Sequence, residues 1–380
     1  MRIYTNPVIM MFIRTLIGLM NPTRRHFLAI LCMMLFVIST VYFVYQTTAM
    51  TNKQQLLIIT DKQRPQTLTE KQRPQTKRTT PKPTPKKIDK NVAANSSMTV
   101  FTQGRLGNNM FQYAALVGVA LARGNVPIYL NEGNGLRKIF DISAEKYPDS
   151  EYQSRVTKNS NRYNENCCFF DPKLMKTVKI KGNFVLWGFF QNWRYFHPHA
   201  SDQLRREFTF RKPVTDAAES FLANATANYT RKHRTKRHST KVTYVGIHVR
   251  RGDITNTHNH DKLGMRQPTM DYFNKAMAIM ERLYDNVLYV ICSDDLKWCR
   301  EKFGSMPNTA FCPCTDRLVD LAILSKSNHS ILTIGSFGFW GAFLANGTTT
   351  YFGSARAPGT WAARLFSYEQ YFMPWWIKIP

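Results

Sequence analysis

Nineteen uncharged residues, FLAILCMMLFVISTVYFVY from Phe27 to Tyr45, form an apolar run close to the start of the chain. A helix of that length crosses roughly 30 Å of hydrocarbon. The run predicts a transmembrane signal-anchor rather than a buried core helix, because nothing globular precedes it. Residues 46–97 have almost no apolar clusters, repeat KQRPQT at Lys62–Thr67 and Lys71–Thr76, and continue into TTPKPTPKK. Such composition buries too little surface to offset chain entropy, and predicts a flexible stem.

From residue 98 short apolar runs alternate with helical patterns. MTVFT (98–102) and VPIYL (126–130) read as strands flanking a helix over Met110–Ala122. A less regular segment follows, with the aromatic run WGFFQNWRYF (187–196). Then come a strand at 242–249, a helix at Met270–Tyr284, a strand at 286–292 and a helix at Asp295–Phe303. A helix at Asp316–Ser325, a strand at 329–334, a helix at Phe337–Ala345 and a last strand at 348–352 complete the series. Strands and helices alternating in this way imply parallel sheets with right-handed crossovers. The predicted fold is α/β, with two Rossmann-like halves (98–240 and 241–380) facing a cleft, preceded by the anchor and stem.

The net charge of +27 alone would suggest a polyanion partner. Its distribution argues otherwise, because the first 97 residues hold fifteen Lys/Arg against three acids. Arg24 and Arg25 directly precede the apolar run, which puts residues 1–26 in the cytoplasm and the chain after Tyr45 in the lumen. Five N-x-[ST] sequons, at Asn95, Asn224, Asn228, Asn328 and Asn346, agree with lumenal exposure. Nucleic acid is therefore not an expected partner, and the basic stem reads as a solvated spacer. Six of the seven cysteines follow the apolar run. No zinc-ligand spacing accompanies Cys312-Pro-Cys314, so structural disulfides are expected, with the pairing open.

In parallel sheets ligands bind beyond the carboxyl ends of the strands. His248-Val249-Arg250-Arg251-Gly252-Asp253 sits at such an end, where guanidinium forks can meet phosphate oxygens. Two adjacent arginines on a loop can scarcely point the same way, so unequal roles are expected. Asp253 reads as an Arg partner or a sugar-hydroxyl acceptor. Asp294 and Asp295, after the 286–292 strand, can hold ribose or a base edge, or cap the next helix. Gly335-Ser336-Phe337-Gly338 opens a helix whose first N–H groups can meet a phosphate.

HVRRGD resembles the donor-site motif of the galactoside α-1,2-fucosyltransferases. GRLGNNMFQYA (104–114), WGFFQNWRYF (187–196) and TIGSFGFWGAFLANG (333–347) are similar to three further segments of that family, in the same order. Asn109 stands where the family more often has Gln. The resemblance covers about 98–352 and implies a GT-B-like architecture, with an acceptor-side half (98–240) and a donor half (241–380). It implies inverting transfer from GDP-β-L-fucose to the 2-hydroxyl of a terminal galactose on glycoprotein or glycolipid glycans. His248, Arg250, Arg251, Asp294, Asp295, Ser336 and Phe337 would then bind the donor, and Arg250, Arg251, Asp253 and His258 would serve catalysis. His260 and Asp261 are further candidates for the base. No D-x-D occurs anywhere in the chain, so arginines rather than a divalent metal are expected to neutralise the diphosphate, with no cofactor. The expected location is the Golgi membrane, type II. Two alternatives stay open: a fucosyltransferase acting on a core glycan or protein Ser/Thr, and a silent membrane-tethered binder of glycans or polyanions.

Overall fold

The computed structural model describes residues 97–130, 135–145, 161–165, 168–176, 183–232, 241–255 and 263–380. The apolar run 27–45, the stem to residue 96, Asn95, Cys167, His258, His260 and Asp261 lie outside the described residues. Among the described residues no helix is long and apolar enough to cross a membrane.

Among the described residues the architecture is α/β, with ten strands in two parallel sheets. The first sheet has the order β2-β1-β4-β3, from β1 (Ser97–Phe101), β2 (Val126–Ile128), β3 (Asn161–Asn164) and β4 (Phe184–Trp187). Helix α1 (Leu106–Arg123) connects β1 to β2. Helices α2 (His197–Glu207) and α3 (Lys212–Lys232) lead toward the second sheet.

The second sheet has the order β10-β9-β8-β5-β6-β7. Its strands are β5 (Thr243–Val249), β6 (Val287–Ser293), β7 (Thr309–Phe311), β8 (His329–Leu332), β9 (Thr349–Phe352) and β10 (Ile377–Ile379). Counted from β5, this is the 3-2-1-4-5-6 order of a doubly wound nucleotide-binding sheet, and its direction of winding reverses between β5 and β8. TTTYF is not the last strand, because β10 pairs with β9 from Ile377↔Thr350 onward. The helices of this half are α4 (Met270–Leu283), α5 (Leu296–Phe303), α6 (Arg317–Lys326) and α7 (Ser336–Ala345), then the short α8 (Trp361–Arg364) and α9 (Tyr368–Tyr371).

Strand alternation distributes β6 between two cores. Val287, Tyr289 and Ile291 pack with Phe273 of α4 and Phe303 of α5, while Leu288, Val290 and Cys292 join Leu321 of α6 and Phe343 of α7. That second core continues into the first sheet through α1. Phe111 lies 4.6 Å from Phe339 and 5.0 Å from Trp340 between ring centroids. All three rings are fully buried, each contributing roughly 1.5–3 kcal/mol relative to exposure. Trp340 Nε1 also donates to the Gly107 carbonyl at 3.0 Å.

Helix α1 begins four residues before the expected Met110. Gly107, Asn108 and Asn109 are poor helix formers, and tertiary contact overrides that preference. Gly107 is so close to α7 that an added Cβ would lie 2.7 Å from the Ser336 backbone. A Cys292–Cys312 disulfide closes a 20-residue separation between β6 and the segment after β7. The sequon residues Asn224, Asn228, Asn328 and Asn346 are exposed.

Candidate active site

The candidate residues gather at the carboxyl ends of the strands, centred on the switch between β5 and β8. The backbone N–H of Arg250 donates to Thr333 Oγ1 at 3.0 Å, tying the two strand ends together. Gly335, at φ +102°, precedes α7. Only the absence of a side chain there lets Arg250 Nη1 approach, since a Cβ would sit 2.6 Å from it.

The adjacent arginines diverge. Arg250 donates from Nε and Nη2 to both carboxylate oxygens of Asp253, at 2.9 and 2.6 Å. This fork holds the Asp253 carboxyl below its usual range, the hydrogen bond from Arg250 being the largest cause. Arg251 turns away to Asp295 (3.1 Å), to Gln267 Oε1 and to the face of Trp298, 4.2 Å from the ring centre. Its side chain is 17% exposed.

Asp294 accepts the backbone N–H groups of Arg251 and Gly252 at 2.8 and 3.1 Å, so its carboxylate shapes the loop. Asp295 caps α5 by accepting from Trp298 N at 3.1 Å, in addition to its pair with Arg251. His248 is buried with Nδ1 unpartnered, 5.4 Å from the Phe337 ring between centroids. Burial pushes its pKa down to about 4, so the imidazole is neutral at physiological pH.

A cavity of about 250 Å³ opens beside this loop, lined among others by Arg250, Gly335, Ser336, Asn108 and Gln191. The Asn108 side-chain oxygen accepts from Gln191 Nε2 at 2.8 Å and from Ser336 Oγ at 2.9 Å. Asn108 thereby joins the 104–114 segment, the 187–196 segment and the start of α7. Arg105, from the first of these, contributes to lowering the Asp253 pKa. All four sequence motifs therefore meet at one place. Arg251, Asp294 and Asp295 support the loop from behind, and none of them lines the cavity.

The sequence profile described as Glycosyl transferase family 11 matches residues 62–380. The chain belongs to glycosyl transferase family 11. It is similar to the rat Galactoside alpha-(1,2)-fucosyltransferase 2, at 30% identity over 296 residues, covering 74% of this chain and 76% of the relative. It is also similar to the human Galactoside alpha-(1,2)-fucosyltransferase 1, at 29% identity over 291 residues and 75% of each chain. The solved fucosyltransferase NodZ from Bradyrhizobium is similar at 12% identity and TM-score 0.41, over 65% of this chain and 92% of that one.

Several residues of this family 11 site did not stand out in the sequence. Asn108 and Gln191 lie inside the 104–114 and 187–196 segments, where nothing in the sequence sets them apart from their neighbours. Glu165, just after β3, accepts from Phe190 N at 2.7 Å and Cys168 N at 3.3 Å, holding the loop that presents Gln191. Burial raises its pKa to about 7 against the opposing pull of these N–H groups. Arg356 and Tyr371 line the same cavity. The signal that finds Arg356 is positional: it lies four residues beyond the carboxyl end of β9.

Proposed function

We propose that this chain transfers L-fucose from GDP-β-L-fucose to the 2-hydroxyl of a terminal galactose, with inversion at the fucose anomeric carbon, in a GT-B-like architecture. The observation that carries the reading is the convergence of four family motifs on one cavity at the β5/β8 switch point. There Arg250 Nη1 and the N-terminal N–H groups of α7 face the space where a diphosphate would lie. As the glycosidic bond breaks, negative charge builds on the departing diphosphate. Donors already in place stabilise that charge more in the transition state than in the ground state.

The acceptor hydroxyl must lose its proton to a base on the opposite face. Asp253 is a weak base while Arg250 holds both its oxygens, which leaves His258, His260 and Asp261 as the candidates for the role. The arginine-lined cavity, together with the absence of a D-x-D sequence, supports turnover without a divalent metal. The arginine-flanked run 27–45 supports a type II Golgi membrane protein with its catalytic part in the lumen. Full-length protein expressed in a secretory host is then N-glycosylated.

The test is incubation with GDP-fucose and a β-galactoside-terminated glycan, with and without EDTA, followed by linkage analysis. An α-1,2-fucosylated galactose formed in both conditions supports the proposal. Transfer only to a core glycan or to protein Ser/Thr refutes the acceptor assignment, and loss in EDTA with recovery in manganese refutes metal independence.

A further inference from the structure

The cavity beside Arg250 contains a second guanidinium for which the described residues provide no counter-charge. Arg356 follows β9, and the bridge between Met265 and Arg356 fixes its backbone against the segment before α4. Its Nε is buried and makes no hydrogen bond. Its side-chain neighbour is the face of Phe366, 5.0 Å from the ring centre. Among the described residues Arg356 makes no ion pair.

Tyr371, on α9, lines the same cavity at 2% exposure, and its hydroxyl is likewise without a partner. Arg250 and Arg356 each act on Tyr371 electrostatically, and Arg250 acts on Arg356 as a like charge. A buried donor left unmade costs roughly 1–3 kcal/mol, and more when charged. A fold that keeps one guanidinium and one phenol in this condition around a shared space is arranged for a ligand. Two guanidinium groups face that space, and Asp253 matches one of them.

We propose that Arg356 and Tyr371 form an anion subsite with Arg250 Nη1 and the uncapped start of α7, and that its ligand is the diphosphate of the nucleotide-sugar donor. Unequal roles are expected of the two HVRRGD arginines, and here the one paired with Asp253 is the one that grips the phosphate. The diphosphate is held by Arg250 and Arg356, from the ends of β5 and β9, while Arg251 serves the loop. The inference rests on the donor reading given above and names further residues that carry it.

The test is titration calorimetry of the full-length protein with GDP, guanosine and inorganic pyrophosphate, for the parent, Arg356→Met, Arg356→Lys and Tyr371→Phe. Arg356→Met should weaken GDP about tenfold to hundredfold, the usual range for a lost hydrogen bond to a charged group. Pyrophosphate should weaken in parallel and guanosine should not change. Arg356→Lys should recover part of the loss, and Tyr371→Phe should lose a smaller factor. The melting temperature of Arg356→Met without ligand should equal or exceed that of the parent, because the charge removed has no ion-pair partner among the described residues. A lower melting temperature, with guanosine and GDP weakened alike, means a structural role and overturns the inference. GDP binding by Arg356→Met equal to that of the parent overturns the inference and leaves the donor reading intact. So does unchanged GDP affinity with a raised KM for an acceptor bearing a carboxylate or sulfate, which assigns the guanidinium to the acceptor. A parent protein that binds neither GDP nor pyrophosphate removes the donor reading, and this inference with it.

Discussion

Asp253 grips the Arg250 guanidinium through Nε and Nη2, at 2.9 and 2.6 Å, and so turns Nη1 toward Gly335 at the start of α7. The aspartate thus acts on a ligand through the arginine it aims. Arg250→Lys keeps the charge and loses the fork. We expect kcat/KM to fall ~10²–10³-fold, as for loss of one preorganised donor, with the melting temperature nearly unchanged. Asp253→Asn should lower GDP affinity in the same direction by a smaller factor, because the guanidinium remains but is no longer fixed at both nitrogens. Steady-state kinetics and thermal melts on the two variants check both statements.

Arg251 should behave differently. It joins Asp295, Gln267 and the Trp298 ring behind the loop. Arg251→Lys should therefore destabilise the fold by about 1–2 kcal/mol, through the lost hydrogen bonds and ring contact. Activity should fall in proportion to loop disorder, with no specific loss of GDP over guanosine binding. Denaturant unfolding and the two affinities separate this pattern from that of Arg250.

Gly338 has its role in close approach, since a Cβ there would lie 2.5 Å from His248 Nδ1. Gly338→Ala should cost about 1–3 kcal/mol as an overpacked contact. Because the displaced ring lies against Phe337, GDP affinity should fall together with stability. A melting temperature equal to that of the parent would contradict the packing described here.

The second sheet was legible because its central strands are continuous apolar runs, as in Thr243–Val249 with TYVGIHV and in Val287–Ser293 with VLYVICS. β3, read as NRYN, lies at the sheet edge with mostly exposed side chains, and gives no such signal. β10 has three residues and is separated from β9 by a long connection. At the site, position after a strand identified the HVRRGD loop, but the directions of its side chains depend on Asp294, Asp295 and Trp298, more than forty residues away. Arg356 and Tyr371 belong to no quoted motif, and enter the cavity only through the packing of the chain after β9.

Glu165 adds a pH dependence whose direction is fixed. Burial raises its folded pKa to about 7 from an ordinary 4.5, so the folded chain binds its proton more tightly than the unfolded chain does. The stabilising contribution is complete below about pH 4.5 and is lost as pH rises through about 7. Its size is on the order of 1–3 kcal/mol. Subtracting the stability of Glu165→Gln from that of the parent should give a difference that declines across this window and is flat above it. A difference that rises with pH would contradict the assignment.

The most direct test of the donor site is a crystal structure of the full-length protein with GDP. The diphosphate should lie between Arg250 Nη1 and the first N–H groups of α7, in the cavity shared with Asn108 and Ser336. A diphosphate bound elsewhere would contradict it, for example in the groove of about 470 Å³ lined by Asn228, Arg231 and Arg300.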